Sequence, residues 1–271
     1  MQTNRFVNEL KLADVCSQYE INLAFANFLR RIINYKVVII ADDSGSMNTP
    51  TDNNEPRWNE LCRFIQTTFL LSQVVENNPL DVYFLNRPSI LGVHSMESIS
   101  EAFRLRPNGG TPIVPILEYV LRQPYYGYEG RIIIIATDGE PTDQSGHVNI
   151  RQLKDTLLNK RSVTDYVTFL ACTDDEHAVG YLNKWDKQIP RVDVSDDFIS
   201  EKKEVLKVQG EDFSFTYAHY IVKTVLGCVI PELDNLDEIP YHINSDGVLI
   251  PKRLIGSMNK HKDHGCRCII S

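Results

Sequence analysis

Residues 37–47 read VVIIADDSGSM, and the reading of this stretch decides the fold. Four β-branched residues in succession, Val37, Val38, Ile39 and Ile40, leave no polar face. A strand of that kind is buried above and below, the condition of a central parallel strand covered by helices on both sides. The apolar run stops at Asp42, Asp43, Ser44, Gly45 and Ser46. Asp42, Ser44 and Ser46 alternate, so an extended backbone sends their side chains out on one side. Their oxygens are hard ligands, suited to Mg²⁺, Mn²⁺ or Ca²⁺ and ill suited to a soft metal.

The pattern recurs downstream. RIIIIATDG, residues 131–139, is a second solid β-branched run that ends in a carboxylate, Asp138, followed by glycine. Between the two runs, GGTP at 109–112 allows a tight backbone path and places Thr111 at the start of a helix. Around these, apolar spacing and turn residues predict a helix over 56–76 opened by Pro56, a strand over 80–86, and helices over 95–103 and 112–123. Further on they predict a helix over 148–159, a strand over 165–172, a helix over 176–187, a strand over 192–195, and helices over 198–207 and 213–226. This alternation gives an α/β fold, a doubly wound, mostly parallel sheet flanked by helices, with right-handed crossovers. One or two amphipathic helices over 8–33 lead into the first strand. From Val229 on, Pro231, Pro240, Pro251 and the acidic residues Glu232, Asp234, Asp237 and Glu238 predict an extended segment laid over the domain, then a flexible end. The expected organisation is an N-terminal helical extension over 1–35, the α/β domain over 36–228, and a C-terminal extension with a basic tail over 229–271.

With 271 residues, 42% hydrophobic and 24% charged, the chain can bury a sizeable core. A formal charge of −8 with no basic face in the body argues against nucleic-acid binding. No apolar run approaches the roughly 20 residues that span a bilayer, and the first residues lack the apolar centre of a signal peptide, which points to the cytosol. Cys16, Cys62, Cys172 and Cys228 stand in apolar contexts, as reduced core residues do in that compartment.

Ligands of an open parallel sheet gather beyond the carboxyl ends of its strands. Asp42, Ser44 and Ser46, then Thr111, then Asp138 should meet at that edge. Taken singly, DDSGSM also reads as a capped turn, Thr111 as a helix cap, and Asp138-Gly139 as an ordinary turn pair. Asp43 falls outside the set and is expected to face solvent or cap the next turn.

Together and in this order, DDSGSM, GGTP and ATDG resemble the motifs of the von Willebrand factor type A family, which includes the integrin inserted domains. The resemblance runs over about residues 36–227. It implies a Rossmann-like sheet with a metal-ion-dependent adhesion site at its top, the metal being Mg²⁺ or Mn²⁺ ahead of Ca²⁺. The site residues it implies are Asp42, Ser44, Ser46, Thr111 and Asp138. The hydroxyls would bind metal directly, the aspartates often through water, and an acidic group of a partner protein would complete the coordination. The implied function is a non-enzymatic, metal-dependent protein-binding module. Two other readings stay open. One is a metal-dependent hydrolase or phosphatase with Ser44 as nucleophile and His147 or Asp143 near the rim; the other is an adaptor subunit of an ATPase machine.

The chain ends in CIIS, residues 268–271, which fits the prenylation pattern with Cys268 as the farnesyl acceptor. Cys266 is then a candidate for palmitoylation, and Lys252, Arg253, Lys260, Lys262 and Arg267 supply a basic stretch facing anionic lipid. The expectation is a protein held at the cytosolic face of a membrane by this lipid anchor. Zinc on His261, His264, Cys266 and Cys268, or an unmodified end, are the alternatives.

Overall fold

The computed structural model describes residues 4–51, 54–143, 145–173 and 175–254. In chain order its elements begin with β1 (Phe6–Val7), α1 (Glu9–Gln18), α2 (Leu23–Arg30), β2 (Tyr35–Ala41), α3 (Arg57–Ser72) and β3 (Val75–Glu76). They continue with β4 (Leu80–Phe84), β5 (Ile90–Val93), α4 (Met96–Phe103), α5 (Ile113–Arg122), β6 (Gly130–Thr137), α6 (Ile150–Asn159) and β7 (Asp165–Ala171). Then follow α7 (Glu176–Val179), α8 (Leu182–Gln188), β8 (Val192–Ser195), α9 (Phe198–Gln209), α10 (Tyr217–Leu226), α11 (Pro231–Asp234), β9 (Tyr241–Ile243) and β10 (Leu249–Pro251).

The central sheet has six strands in the order β5-β4-β2-β6-β7-β8. All neighbours are parallel except β5, which runs antiparallel to β4. The β-branched runs behave as their composition demands. Val37, Ile39 and Ala41 enter one core with Val82, Ile132 and Ile134. Val38 and Ile40 enter the other with Tyr83, Ile133 and Ile135. Side chains of α2, α3, α4 and α10, among them Phe25, Ile65, Ile99 and Ile221, cover the first face. The second is covered from α5, α6 and α8 by Leu117, Leu153 and Trp185.

The strand order fixes where a ligand can sit. After β2 the chain moves outward to β4 and β5, then returns to place β6 on the other side of β2. The connections leaving β2 and β6 therefore diverge, and a crevice opens between their carboxyl ends. Asp42 follows β2 directly and Asp138 follows β6.

The flanking segments share the main core. Leu12, Phe25 and Leu29 from α1 and α2 are buried in the same cluster as the first sheet face, and so are Ile230, Leu233 and Leu236. The stretch after residue 228 is not the extended cover that its prolines suggested. Pro231 opens α11 at a first-turn position, where its missing N–H costs nothing. Downstream, β9 and β10 pair as an antiparallel hairpin whose turn places Gly247 at φ 72. Among the described residues no helix is long and apolar enough to cross a membrane. Cys266, Cys268 and the basic residues after 254 lie outside the described residues.

At the other edge of the sheet the buried ion pair Arg131–Asp165 joins β6 to β7. The Arg131 guanidinium also donates to the carbonyls of Val120, Leu121 and Gln123, tying down the last turn of α5. The Val120 carbonyl also accepts the Gln123 N–H at 3.0 Å, and the carbonyls at a helix end lack their full set of intrahelical partners, so a fork-shaped donor is well matched to them.

Candidate functional site

The turn after β2 is shaped by Asp42. Its carboxylate is fully buried, accepting the Ser44 backbone N–H at 2.8 Å on one oxygen and the Thr137 hydroxyl at 2.6 Å on the other. The first bond curls the chain so that Ser44 and Ser46 follow on one side, and their hydroxyls lie 3.0 Å apart. Ser46 then donates to Asp138 Oδ1 at 2.7 Å, across 92 residues of sequence. Four of the five expected residues are thus joined by hydrogen bonds at the crevice between β2 and β6.

Thr111 comes in on the third segment and is tied to both others through the backbone. The Gly45 N–H donates to the Gly109 carbonyl at 3.1 Å. The Thr111 N–H donates to the Thr142 hydroxyl at 3.0 Å, and the Thr142 N–H returns to the Thr111 carbonyl at 2.9 Å. Gly109 has φ 115, and a Cβ there would stand 2.6 Å from the Asn86 side chain. Only glycine lets this loop pass so close.

Asp43 corrects the expectation of a solvent-facing residue. It is fully buried and pairs with Arg87, Nε to Oδ2 at 2.6 Å, while its other oxygen accepts the Asn86 N–H at 2.8 Å. Arg87 in turn donates to the carbonyls of Ala102, Leu105 and Arg106 and lies 4.8 Å from the Trp58 ring centre. One guanidinium therefore fastens the chain after α4, and with it the approach to Gly109 and Thr111, onto the turn after β2. Arg87→Ala leaves Asp43 as a buried unpaired carboxylate and frees three carbonyls, which should cost about 3 kcal/mol or more. Urea unfolding should show that loss, and amide exchange should rise over residues 104–110; unchanged exchange there would remove Arg87 from its positioning role.

A second residue outside the expected set is Arg57, at the first position of α3. Its guanidinium holds Asp138 Oδ2 at 2.8 Å and the Thr173 hydroxyl at 2.7 Å. Asp138 is thereby neutralised in pairwise terms. Asp42 has no ion pair to a cationic side chain among the described residues, and burial pushes its carboxyl up to about 6 against the pull of the Thr137 and Ser44 hydrogen bonds. Nothing in the sequence distinguished Arg57 from any first-turn arginine, because its target lies 81 residues away.

The donor set fits a hard dication. Both carboxylates spend their oxygens on orienting neighbours, while the serine hydroxyls face each other at a part-buried edge where Ser46 is exposed. A buried carboxylate that lacks a cation stands directly behind them. No group of three or more His, Cys, Asp or Glu side chains among the described residues is placed to hold a metal, so a metal here would rely on hydroxyl ligands. His147 and Asp143, the candidate bases, belong to a surface turn in which Asp143 accepts the Ser145 and His147 N–H groups. These bonds hold the Asp143 carboxyl below its usual value.

No family model matches the sequence, and no curated protein matches it. Among solved structures it is similar to the pilus adhesin SpaC from Lactobacillus rhamnosus GG, with TM-score 0.44 and 14% identity over 71% of this chain. It is also similar to proximal thread matrix protein 1 from the mussel byssus, with TM-score 0.41 and 14% identity over 63% of this chain. The match takes in 31% of the adhesin and 46% of the matrix protein, less than half of either. Likeness at this level bears on neither the site nor its chemistry.

Proposed function

We propose that the chain is a von Willebrand factor type A module that binds a partner protein through a divalent cation, Mg²⁺ or Mn²⁺, at the crevice between β2 and β6. The observation that carries the reading is the hydrogen-bonded line from Ser44 through Ser46 to Asp138, with the uncompensated Asp42 carboxylate buried behind it. Ser44, Ser46 and Thr111 would hold the metal by their hydroxyls. When bound, the cation supplies positive charge that an acidic group of the partner can neutralise. Asp42 and Asp138 orient the donors. Because Arg57 already offsets Asp138, only one of these two carboxylates is left to balance a double charge. The surplus is what selects an acidic partner on a chain whose net charge is −8. The proposal does not depend on lipid at Cys268.

Calorimetric titration with Mn²⁺ tests it. Wild type should bind with one site, and Ser44→Ala with Ser46→Ala should lower affinity at least tenfold while circular dichroism stays unchanged. Equal heats from wild type and the double variant would defeat the proposal. The hydrolase reading gains nothing from the geometry, since no histidine hydrogen-bonds Ser44 or Ser46 among the described residues.

A further inference from the structure

Beside the hydroxyl line lies a cavity of about 310 Å³, between the first turns of α3, the carboxyl end of β7 and the starts of α9 and α10. Leu61, Phe64, Leu170, Phe198, Tyr217 and Tyr220 wall it. Its polar rim is Arg57, Glu60, Arg63 and Asp197. Each rim charge is already engaged within the chain. Arg57 holds Asp138, and Arg63 bonds Glu55 and stands 3.9 Å from Glu60. Asp197 caps α9 by accepting the Ile199 and Ser200 N–H groups. Such a cavity has no spare charge to receive an ion and presents ring faces and hydrocarbon within, so its fit is to one large uncharged side chain.

The cavity is joined to the candidate site. A second hollow of about 240 Å³ shares Arg57, Glu60, Cys172, Asp197 and Ile199 with it, and Ile199 at the lip of both is 55% exposed. Arg57 is the common wall, and a single carboxylate, Asp138, separates its guanidinium from the Ser46 hydroxyl. An extended peptide places residues i and i+2 on one side about 7 Å apart while residue i+1 points away, so an acidic residue over the hydroxyl line and a side chain two residues along face the same side.

We infer that the partner carries a bulky uncharged side chain two residues from its acidic residue, and that this side chain seats in the aromatic cavity beside Arg57. The inference rests on the metal-dependent reading of the site. It gives the partner a motif, acidic-x-aromatic or its reverse, and gives the cavity one occupant.

The test uses the full chain with saturating Mn²⁺ and blocked five-residue peptides, read by calorimetry. Peptides with Glu-Ala-Phe or Phe-Ala-Glu at the centre should include one that binds at least tenfold tighter than Glu-Ala-Ala and Glu-Phe-Ala, the scale set by burying an aromatic side chain. Ile199→Asp, a change at an exposed lip, should erase that preference and leave Mn²⁺ affinity as it was. If Mn²⁺ binds and the acidic peptides bind equally whatever stands two residues from the glutamate, the cavity assignment is overturned and the site reading survives. If Mn²⁺ gives no heat at all, the site reading fails first and the inference with it. A dimer in sedimentation that Ile199→Asp dissolves, with no peptide preference, assigns the cavity to a second copy and also overturns it.

Discussion

Asp42→Asn is expected to stabilise the metal-free chain while abolishing its response to metal. The Asp42 carboxyl is raised from 3.8 to about 6 by burial. A shift of that size corresponds to about 3 kcal/mol of folding free energy. The sign follows from proton uptake. Between pH 4 and 6 the folded chain holds a proton that the unfolded chain has released, so stability falls as pH rises through this window. Above pH 6 the full penalty is in force; below pH 4 it vanishes. Asparagine keeps an oxygen for the Ser44 N–H, and its amide can donate to the Thr137 hydroxyl, which can turn its own proton to the Gly139 carbonyl 3.4 Å away. At pH 7.5 without metal the variant should melt roughly 6–10 °C higher than wild type, and at pH 4 the two should coincide. With Mn²⁺ at a hundred times its dissociation constant, wild type should regain about 2.7 kcal/mol and the variant nothing. A metal-free variant that melts lower at pH 7.5 would mean that Asp42 is a structural cap, and the charge argument for a cation would fall.

The other large effect concerns the frame. Arg131→Met should cost about 3–5 kcal/mol, because it leaves Asp165 buried without its cation and removes the guanidinium from three carbonyls, of which that of Val120 keeps the Gln123 N–H. Both side chains of that pair are only 2% exposed, so water cannot take over. Adding Asp165→Asn should recover a substantial part, since asparagine still accepts the Ser162 N–H and no bare charge remains. Denaturant midpoints of wild type, both single variants and the double variant give the coupling. Additive losses would show that the pair does not act as a unit. Mn²⁺ affinity should be indifferent to all of them at temperatures where they stay folded, because Arg131 sits at the opposite end of β6 from Asp138.

The two β-branched runs carried the sheet in the sequence because burial on both faces removes any need for polar alternation. Val37 to Ile40 and Ile132 to Ile135 alternate between the two cores as that reading requires. The edge strand β5 was not legible: ILGV is short, partly exposed and interrupted by Gly92 at φ 62. The helix expected over 176–187 is two pieces, α7 and α8. The hairpin β9–β10 carried an Asp-Gly turn signal at 246–247 that the surrounding prolines obscured. At the crevice, Asp42, Ser44, Ser46 and Asp138, which the motifs singled out, lie in one hydrogen-bonded line, whereas the contacts of Asp43, Arg57 and Arg87 there were not legible. Their roles come from partners 44 and 81 residues away, and a lone arginine or a second aspartate in a turn carries no local mark of such a partner. Polar residues whose partners are distant are the ones periodicity cannot place.

The most direct test of the central claim is an anomalous difference map from crystals of the full chain grown with MnCl₂. The account predicts one strong peak within bonding reach of the Ser44, Ser46 and Thr111 hydroxyls, absent when Thr111→Ala is crystallised the same way. A map with no peak at the crevice, or with its strongest peak at another carboxylate cluster of this acidic chain, would contradict it.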